Sequence, residues 1–271
     1  MDNDGLTQYT RIAISLAERI ASGQLKEGDK ISGRSKLSPE YNVSPETIRR
    51  ALRLLADMVP EGARLADVGT DHGYLPVFLL QKGRIAGAIA SDIVPGPLQH
   101  ARQTAAEYEV EGIDFRLCPG LDAIGAEETD TIVIAGMGGE TIQAVLEAAP
   151  WTGDGGHLLL LQPMTKVEFL RKWLSDNGYS FTDERLVFDK DHLYPVFAVR
   201  GGRQSPLTLA QQYGGVLLDG DPLYGVYLDE RIGKLQKAIN GLQKSAAIES
   251  AVKVKELTEL CRILKEKRDT L

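Results

Sequence analysis

The sequence LADVGTDHGYLP, residues 65–76, decides the fold of this chain. It begins inside a short apolar run, turns at Gly69 and Gly73, and continues into apolar residues with helical spacing from about Leu75. A buried strand, a glycine-containing turn and a helix, in this order, are typical of the first unit of a doubly wound α/β sheet. Glycine suits both turn positions because it adopts left-handed backbone angles at no steric cost.

The alternation of strand and helix continues after this unit. Predicted strands cover 63–68, 85–91, 113–117, 131–135 and 157–161, and predicted helices begin near Leu75 and cover 97–108, 140–148 and 166–176. Residues 187–188 and 196–199 are predicted to form a final antiparallel pair. Alternating βα units predict a Rossmann-like, doubly wound and mostly parallel sheet.

The C-terminal part of the chain is predicted to be helical. Beyond Gly201 and Gly202 the sequence is first predicted to form a loop. Apolar residues then step alternately by four and three along Leu228, Ile232, Leu235, Ile239, Leu242 and Ala246. The seam resumes out of phase at Val254, Leu257, Cys261 and Leu264. This spacing predicts either a helical hairpin or a slipped coiled coil, and we expect its apolar residues to form core rather than a dimer interface.

The N-terminal part, residues 8–58, also has helical periodicity, with a break after Gly23. Ser44 and Pro45 are typical of the N-cap and first residue of a helix, and this helix is rich in arginine at Arg49, Arg50 and Arg53. Two helices joined by a few residues have helix-turn-helix geometry. We therefore expect a helix-turn-helix-like segment at 1–58, a sheet domain at 59–202 and a helical extension at 203–271.

Composition excludes several classes of protein. With 43% hydrophobic and 25% charged residues among 271, the chain is globular rather than disordered. No apolar run approaches the ~18 residues that cross a bilayer, and the acidic N-terminus is unlike a secretory signal. Cys118 and Cys261 lie far apart without metal-ligand spacing. A cytoplasmic protein with reduced thiols is expected, with no membrane contact.

The charge is unevenly distributed. The net charge of −7 (31 − 38) argues against nucleic-acid binding over the whole surface. Residues 1–59 hold nine basic and eight acidic residues, and from Leu228 onward there are ten against seven. A polyanion is therefore expected to contact the ends of the chain rather than its middle.

Acidic side chains follow the first two predicted strands. Asp67 and Asp71 flank the first turn, where they would repel the pyrophosphate of a dinucleotide, so NAD is disfavoured. A ligand with ammonium and sulfonium charges, such as S-adenosyl-L-methionine, fits better. Asp92 follows the second strand, 25 residues after Asp67, where an acid can accept both ribose hydroxyls.

The fourth and fifth predicted strands end differently. The fourth ends in Ala135, Gly136, Met137, Gly138 and Gly139, and its three glycines leave room for a flat substrate beside the reactive methyl. The fifth ends in Gln162-Pro163-Met164, which brings another polar group to the same edge.

Four strings together resemble one family: residues 65–76, SDIVPGPLQHA at 91–101, IVIAGMGGETI at 132–142 and LLLQPMTKVEFLRKWL at 159–174. From about Leu52 to Leu271 the chain resembles the bacterial tRNA (adenine-22-N1)-methyltransferases. The resemblance implies a class I methyltransferase fold, S-adenosyl-L-methionine as cofactor, tRNA as partner and N1 of an adenine as the methyl acceptor.

The resemblance also implies roles for individual residues. The base pocket would be formed by Gly136, Met137 and Gly138. The cofactor would be bound by Asp67, Gly69, Thr70, Asp71, His72, Gly73, Asp92, Ile93, Pro119, Gly120 and Ala135. One position departs from the family, which usually has Gly-Asp after the third strand, where this chain has Cys118-Pro119-Gly120. Because Pro119 has neither a carboxylate nor a backbone N–H, we expect weakened adenine recognition.

Residues 14–32 and 41–58 resemble a second family, the DNA-binding helices of GntR-type regulators. Such domains continue into a wing, whereas here Met58 leads directly into the first predicted strand, so a fusion that shares one helix is the simplest account. Two alternatives stay open. The chain could be a regulator that binds duplex DNA and senses S-adenosyl-L-methionine, or a methyltransferase acting on another substrate.

Several residues also have a purely structural interpretation. His72 could be a hydrogen-bonded loop residue, Asp71 could cap the helix near Tyr74, and Met137 could fill space. The three arginines of the N-terminal helix could form a solvated face. The remaining histidines, His100, His157 and His192, are scattered, so no metal site is expected.

Overall fold

The computed structural model describes residues 54–189, 192–244 and 248–271. The predicted helices of the helix-turn-helix-like segment before residue 54 lie outside these residues. The strands are β1 (Ala63–Val68), β2 (Ile85–Asp92), β3 (Ile113–Leu117), β4 (Thr131–Gly138), β5 (Leu158–Thr165), β6 (Tyr179–Asp189) and β7 (His192–Gly201). The helices are α1 (Tyr74–Gln81), α2 (Pro95–Glu107), α3 (Gly139–Ala148), α4 (Val167–Asp176), α5 (Leu209–Gly214), α6 (Tyr224–Leu242) and α7 (Ile248–Asp269).

The seven strands form one sheet in the order β3-β2-β1-β4-β5-β7-β6. Strands β1 to β5 run parallel, and β7 lies antiparallel between β5 and β6. This arrangement confirms the predicted Rossmann-like, doubly wound sheet. The winding reverses between β1 and β4, and a crevice at the carboxyl ends of these strands is where such sheets bind ligands.

Apolar residues cover both faces of the sheet, as expected of parallel strands. Successive residues of β1 point to opposite faces: Ala66 and Val68 pack with α3 and α4, whereas Leu65 packs with α1 and the helical residues 54–58. Residues of β4 and β5 divide in the same way. Because these strands are buried on both faces, the position at which each strand ends is fixed relative to its neighbours. The site residues at the strand ends are therefore aligned.

Four elements differ from the predicted ones, and one of them is β5, which runs to Thr165 instead of ending at Leu161. The final antiparallel pair is much longer than the two short segments predicted, because polar residues on its exposed face interrupt the apolar pattern. Helix α5 lies in a stretch predicted to be a loop, and Thr208 caps its N-terminus by accepting a hydrogen bond from the Gln211 N–H at 3.2 Å. Strand β4 continues irregularly through Gly138, because its pairing with β5 shifts register on both sides of Met137.

The C-terminal extension is a helical hairpin rather than a slipped coiled coil. The predicted seam residues of α6 and α7 share one apolar core with Leu186 and Leu193 of the β6–β7 hairpin. Arg268 near the end of α7 pairs with Asp229 near the start of α6, so the two helices are antiparallel. Within the described residues, no helix combines the length and apolarity needed to cross a bilayer.

A buried ion pair fastens the extension to the sheet domain. Arg171 of α4 and Glu184 of β6 are both inaccessible to solvent and lie 2.7 Å apart, from Nη2 to Oε1. Arg171 also donates to the carbonyl of Gln212 at 2.8 Å and to the Tyr227 hydroxyl at 3.2 Å. Every group of this pair thus has a partner, which a buried ion pair requires to be stable.

Candidate functional site

The turn after β1 brings two glycines and two acids to the carboxyl edge of the sheet. Gly69 and Gly73 both have left-handed φ angles, 69° and 67°, as predicted. The Gly69 and Thr70 N–H groups donate to the carbonyl of Ser91 at 2.8 and 2.9 Å, which ties the turn to the end of β2. The turn therefore sets the distance between Asp71 and Asp92, the acids that follow the two strands.

Asp67 is buried under this turn, with 7% of its surface exposed. Its Oδ2 accepts a 2.5 Å hydrogen bond from the Thr70 hydroxyl. Burial raises the pKa of Asp67 to about 6; the Thr70 hydrogen bond opposes the shift, and the charges of Asp71 and Asp92 add to it. The carboxylate is thus strained electrostatically in the absence of a cation.

Asp71 has a φ of 55°, which is uncommon for a residue other than glycine. Its N–H lies 3.4 Å from Oδ2 of Asp92, and burial, followed by the charge of Asp92, raises the pKa of Asp71 to about 6. His72 Nε2 lies 3.6 Å from Oδ1 of Asp71, but burial and then the charge of His100 lower the pKa of His72 to about 4. His72 is therefore neutral near pH 7 and does not neutralise the acid.

A cleft of about 630 Å³ opens above this edge, between the turns after β1, β2, β3 and β4 and one face of α3. Nine of the predicted site residues line it: Gly69, Asp71, Asp92, Ile93, Pro119, Gly120, Ala135, Gly136 and Met137. Five others do not line it: Asp67, Thr70, His72, Gly73 and Gly138. The structure thus brings most of the predicted residues together, and Asp67 and Thr70 lie in the layer beneath them.

Nine lining residues were missed by sequence reasoning: Val68, Pro97, Cys118, Leu121, Asp122, Thr141, Ala144, Val145 and Ala148. Thr141, Ala144, Val145 and Ala148 follow i, i+3, i+4, i+7 spacing, which puts them on one face of α3. That spacing was visible in the sequence but carries no chemical signal. Asp122 is exposed in the cleft, and its N–H donates to the carbonyl of Pro119 at 3.0 Å. The loop therefore supplies a carboxylate to the cleft although Pro119 does not.

The turn at the end of β4 is held by its neighbours. Gly136 has a φ of 78°, and its N–H donates to Oε1 of Gln162 at 2.9 Å. A Cβ atom on Gly69 would overlap Cε of Met137, so glycine at this position leaves room for the end of the Met137 side chain against the first turn. Gln162 and Gly69 thus fix the Gly136–Met137 segment from two sides.

Two structural interpretations are decided by the geometry. Gly73 is the N-cap residue of α1 and the helix has no side-chain cap, so the interpretation of Asp71 as its cap is wrong. His72 is buried, stacks on His100 with centroids 4.8 Å apart and stacks on Tyr74 at 5.5 Å. This packing favours the structural role of His72. Among the described residues, no group of three or more acids, cysteines or histidines could hold a metal ion.

The cleft fits S-adenosyl-L-methionine. Ile93, Pro97, Leu121 and Val145 supply apolar walls for a flat base. Asp92 stands where ribose hydroxyls need an acceptor, and Asp67 and Asp71 provide a negative potential for the ammonium and sulfonium charges. None of the three acids pairs with Lys or Arg among the described residues.

This fold and cleft define an S-adenosyl-L-methionine-dependent methyltransferase of class I, and a family model described as a methyltransferase domain matches residues 48–197. More particularly, the chain belongs to the tRNA (adenine(22)-N(1))-methyltransferase family. It is 30% identical over 233 residues to the Bacillus subtilis tRNA (adenine(22)-N(1))-methyltransferase, over 81% of this chain and 96% of that protein.

Solved structures support the same relationship. The B. subtilis m1A22 tRNA methyltransferase TrmK superposes with a TM-score of 0.71 at 28% identity, over 79% of this chain and 96% of TrmK. Streptococcus pneumoniae Sp1610 in complex with S-adenosyl-L-methionine superposes with a TM-score of 0.68 at 31% identity, over 80% and 97% of the two chains. Residues 8–58 match a second family model, that of bacterial regulatory proteins of the gntR family.

Proposed function

We propose that this protein transfers a methyl group from S-adenosyl-L-methionine to N1 of adenine 22 in tRNA. The observation that carries the proposal is the cleft at the switch point of the sheet, where three acids without a Lys or Arg partner among the described residues surround a glycine turn. The reaction named for the B. subtilis relative matches this chemistry.

When bound, S-adenosyl-L-methionine supplies an electrophilic methyl group on a sulfonium centre. Asp92 would accept hydrogen bonds from the ribose, since its carboxylate lines the cleft at the end of β2. Asp67 and Asp71 would hold the cationic end, because their own burial and mutual repulsion favour a positive neighbour. The backbone of Gly69 would approach closely, as no Cβ atom intervenes.

The acceptor needs little proton chemistry before methyl transfer, because N1 of neutral adenine already carries a lone pair. The protein's contribution is therefore mainly to position the base for in-line attack. Gly136 and Met137 line the cleft beside the first turn, and Gly138 follows them, so this segment would form the base pocket. The adenine must leave its stack to enter it. The product is cationic until N6 loses a proton, and the carboxylate of Asp71 would stabilise that charge.

The test measures labelled methyl transfer from S-adenosyl-L-methionine to unmodified bacterial tRNA. We expect wild type to modify this tRNA at one position and to leave a transcript with guanosine at position 22 unmodified. Asp92→Ala should abolish transfer at limiting cofactor. Glu111→Gln, an exposed carboxylate before β3, is the matched control and should keep full activity. Label on a nucleoside other than 1-methyladenosine would contradict the proposal.

A second function is favoured by the match of residues 8–58 to the gntR family. These residues would add a contact to duplex DNA, made by Arg49, Arg50 and Arg53. The test compares gel shifts of the full chain with duplex DNA and with tRNA, for wild type and for the Arg49→Glu/Arg50→Glu variant. Loss of DNA binding with unchanged methylation would support two separate functions. Equal shifts of wild type and variant on DNA would exclude the second.

A chain that acts on bacterial tRNA would work in the cytoplasm. Methylation should also persist when residues 1–50 are deleted, because the aligned B. subtilis relative is covered over 96% of its length by 81% of this chain. Loss of methylation on deletion, in a variant that still binds S-adenosyl-L-methionine, would instead assign the N-terminal segment to tRNA binding.

A further inference from the structure

Lys166 is unusual among the basic residues of the sheet domain. Of the ten described lysines and arginines between residues 54 and 202, six form ion pairs with acids: Arg64, Arg84, Arg116, Arg171, Lys172 and Arg185. Arg102 donates to the Phe115 carbonyl at 3.1 Å, and Arg200 donates to the Gly156 carbonyl at 3.4 Å. Within the described ranges, Lys82 and Lys166 are the two that remain without a protein partner.

These two lysines lie at opposite edges of the sheet. Lys82 follows α1 and precedes β2, so it lies at the amino ends of the parallel strands. Lys166 directly follows β5 and is exposed at the carboxyl edge, where the cleft opens. In the described part of the sheet domain, Lys166 is therefore the unpaired cation on the reactive side.

The backbone of Lys166 packs against the turn proposed to hold the base. Gly138 pairs with Thr165 in the sheet, and a Cβ atom on Gly139 would lie 2.6 Å from the carbonyl oxygen of Lys166. The backbone of Lys166 therefore lies against Gly139, the residue that follows the proposed base pocket in the chain. Its φ of 55° is left-handed, a conformation that a lysine adopts at a cost of roughly 1 kcal/mol relative to glycine.

The helical extension packs against α4, the helix that begins directly after Lys166. The pKa of Tyr213 in α5 is raised, first by burial and then by the nearby charge of Glu168, two residues after Lys166. The opposing charge of Lys253 in α7 acts on the same hydroxyl. The start of α4 is therefore close to α5 of the extension. Phe169 is 38% exposed there, an aromatic face of the kind on which unstacked bases pack.

RNA meets an unfavourable potential at this edge. Asp71, Asp92 and Asp122 line the cleft, and Glu140 is exposed at the start of α3. Phosphates approaching the base pocket are repelled unless a cation offsets these charges. We propose that Lys166 binds a backbone phosphate of the tRNA beside the nucleotide that is methylated, and so positions this nucleotide for entry into the pocket. This inference rests on the proposed function and assigns a positioning residue to it.

The test measures tRNA binding by filter retention over a series of salt concentrations, for wild type and for Lys166→Gly, Lys166→Glu and Lys166→Arg. Glycine keeps the left-handed backbone and removes the side chain together with its charge. We expect Lys166→Gly to weaken tRNA binding by roughly 3- to 10-fold and to lower the slope of log K against log salt by about 0.7–0.9, as the loss of one phosphate contact predicts. Lys166→Glu should weaken binding further, and Lys166→Arg should restore the slope.

Lys82→Glu is the matched control, since it changes an exposed unpaired lysine at the far edge. It should leave the salt slope at the wild-type value. Calorimetric affinity for S-adenosyl-L-methionine should be the same in wild type and Lys166→Gly, while the KM for tRNA rises. A Lys166→Gly protein with wild-type tRNA affinity and slope would overturn the inference, as would a Lys82→Glu protein with an equal loss of slope.

The two proposals fail in different ways. If wild type methylates tRNA and Lys166→Gly binds it normally, the inference about Lys166 is wrong and the proposed function stands. If wild type binds tRNA through Lys166 but transfers no methyl group, the proposed function is wrong and the phosphate contact stands. If wild type does not bind tRNA, both are wrong.

Discussion

Two buried carboxylates, Asp67 and Glu184, have almost the same burial and opposite surroundings. Glu184 is 2% exposed; its Oε1 accepts from Arg171 Nε and Nη2 at 2.9 and 2.7 Å, and its Oε2 accepts from the Val216 and Leu217 N–H groups at 2.6 and 3.0 Å. Asp67 is 7% exposed and receives a single side-chain hydrogen bond, from Thr70. Its charged neighbours are acids.

The difference separates a carboxylate whose charge the protein compensates from one whose charge is left largely uncompensated beneath the cleft. Glu184 is fully satisfied by the protein, and its partners lie on α4 and on the segment between α5 and α6 of the extension, so its role is to dock the two regions. Asp67 bears a desolvation cost that the protein offsets only in part. A cation entering the cleft would offset the remainder, which is how a fold can exchange stability for binding.

The largest expected effect is on the free energy of unfolding, which should distinguish Glu184 from Asp67. Glu184→Gln leaves the Arg171 guanidinium buried without a countercharge, and we expect a loss of roughly 3–5 kcal/mol in the free energy of unfolding. Asp67→Asn removes a strained charge and should leave the free energy of unfolding unchanged or raise it. Urea unfolding at pH 7.5, followed by circular dichroism, measures both. Equal destabilisation by the two variants would contradict the comparison.

The next effect is on cofactor affinity, for which Asp67 should matter more than Glu184. Asp67→Asn should lower the affinity for S-adenosyl-L-methionine by about 10- to 100-fold, since an interaction of a charged group is worth roughly 1.5–3 kcal/mol. The affinity for S-adenosylhomocysteine, which lacks the sulfonium charge, should fall less. Calorimetry with both ligands tests this, with Glu111→Gln as the control. An equal loss for both ligands would mean that the sulfonium charge does not contribute.

The third effect is a pH dependence: as the pH rises, the free energy of unfolding should fall and the cofactor affinity should increase. In the folded chain the pKa values of Asp67 and Asp71 are raised from 3.8 to about 6. Between about pH 4 and pH 6 the folded state therefore binds more protons than the unfolded state. Their contribution to the free energy of unfolding therefore falls as pH rises through this window. Cofactor affinity should rise over the same range, because the acids ionise, by about tenfold from pH 5 to pH 7 for each carboxylate required.

Calorimetry of the wild type at pH 5, 6 and 7 measures the rise in affinity, and urea unfolding at the same values measures the fall in stability. Asp67→Asn should reduce both trends, since it removes one of the two titrating groups. An affinity that is flat from pH 5 to pH 7 would show that neither acid has to ionise for binding.

Strands β1 and β2 could be predicted from the sequence because most of their residues are buried, whereas β3, at the edge of the sheet, could be predicted although its residues are half-buried or exposed. Strands β1 and β3 have the predicted bounds, and β2 extends by a single residue, Asp92. The β6–β7 hairpin could not be bounded this way. Residues such as Asp183 and Arg185 interrupt its apolar pattern on the exposed face, and its long-range pairing overrides local preference. For helices α6 and α7, the sequence predicts either a helical hairpin or a slipped coiled coil, because both have the same spacing of apolar residues.

The acids of the cleft could be predicted because their position after successive strands has a chemical meaning. The face of α3 could not, since Ala144 and Ala148 are small apolar residues that become informative only once the helix is docked over the cleft. The placement of Asp67 beneath the turn, rather than in the cleft wall, depends on the Gly69 and Thr70 hydrogen bonds to Ser91. The spacing of residues in the sequence does not show how deeply Asp67 is buried.

The smallest expected effect extends the comparison to an exposed carboxylate. Asp122 lines the cleft but is solvated, so removing its charge should change cofactor affinity by about threefold, far less than removing the charge of buried Asp67. Asp122→Asn, measured by calorimetry at 50 and 300 mM salt, should show this loss mainly at low salt, because exposed charges are screened. Pro119→Asp, which introduces the carboxylate usual in the family, should raise the affinity in the Asp122→Asn background more than in wild type. If the two substitutions are additive, Asp122 does not compensate for Pro119, and the adenine is recognised by the apolar walls alone.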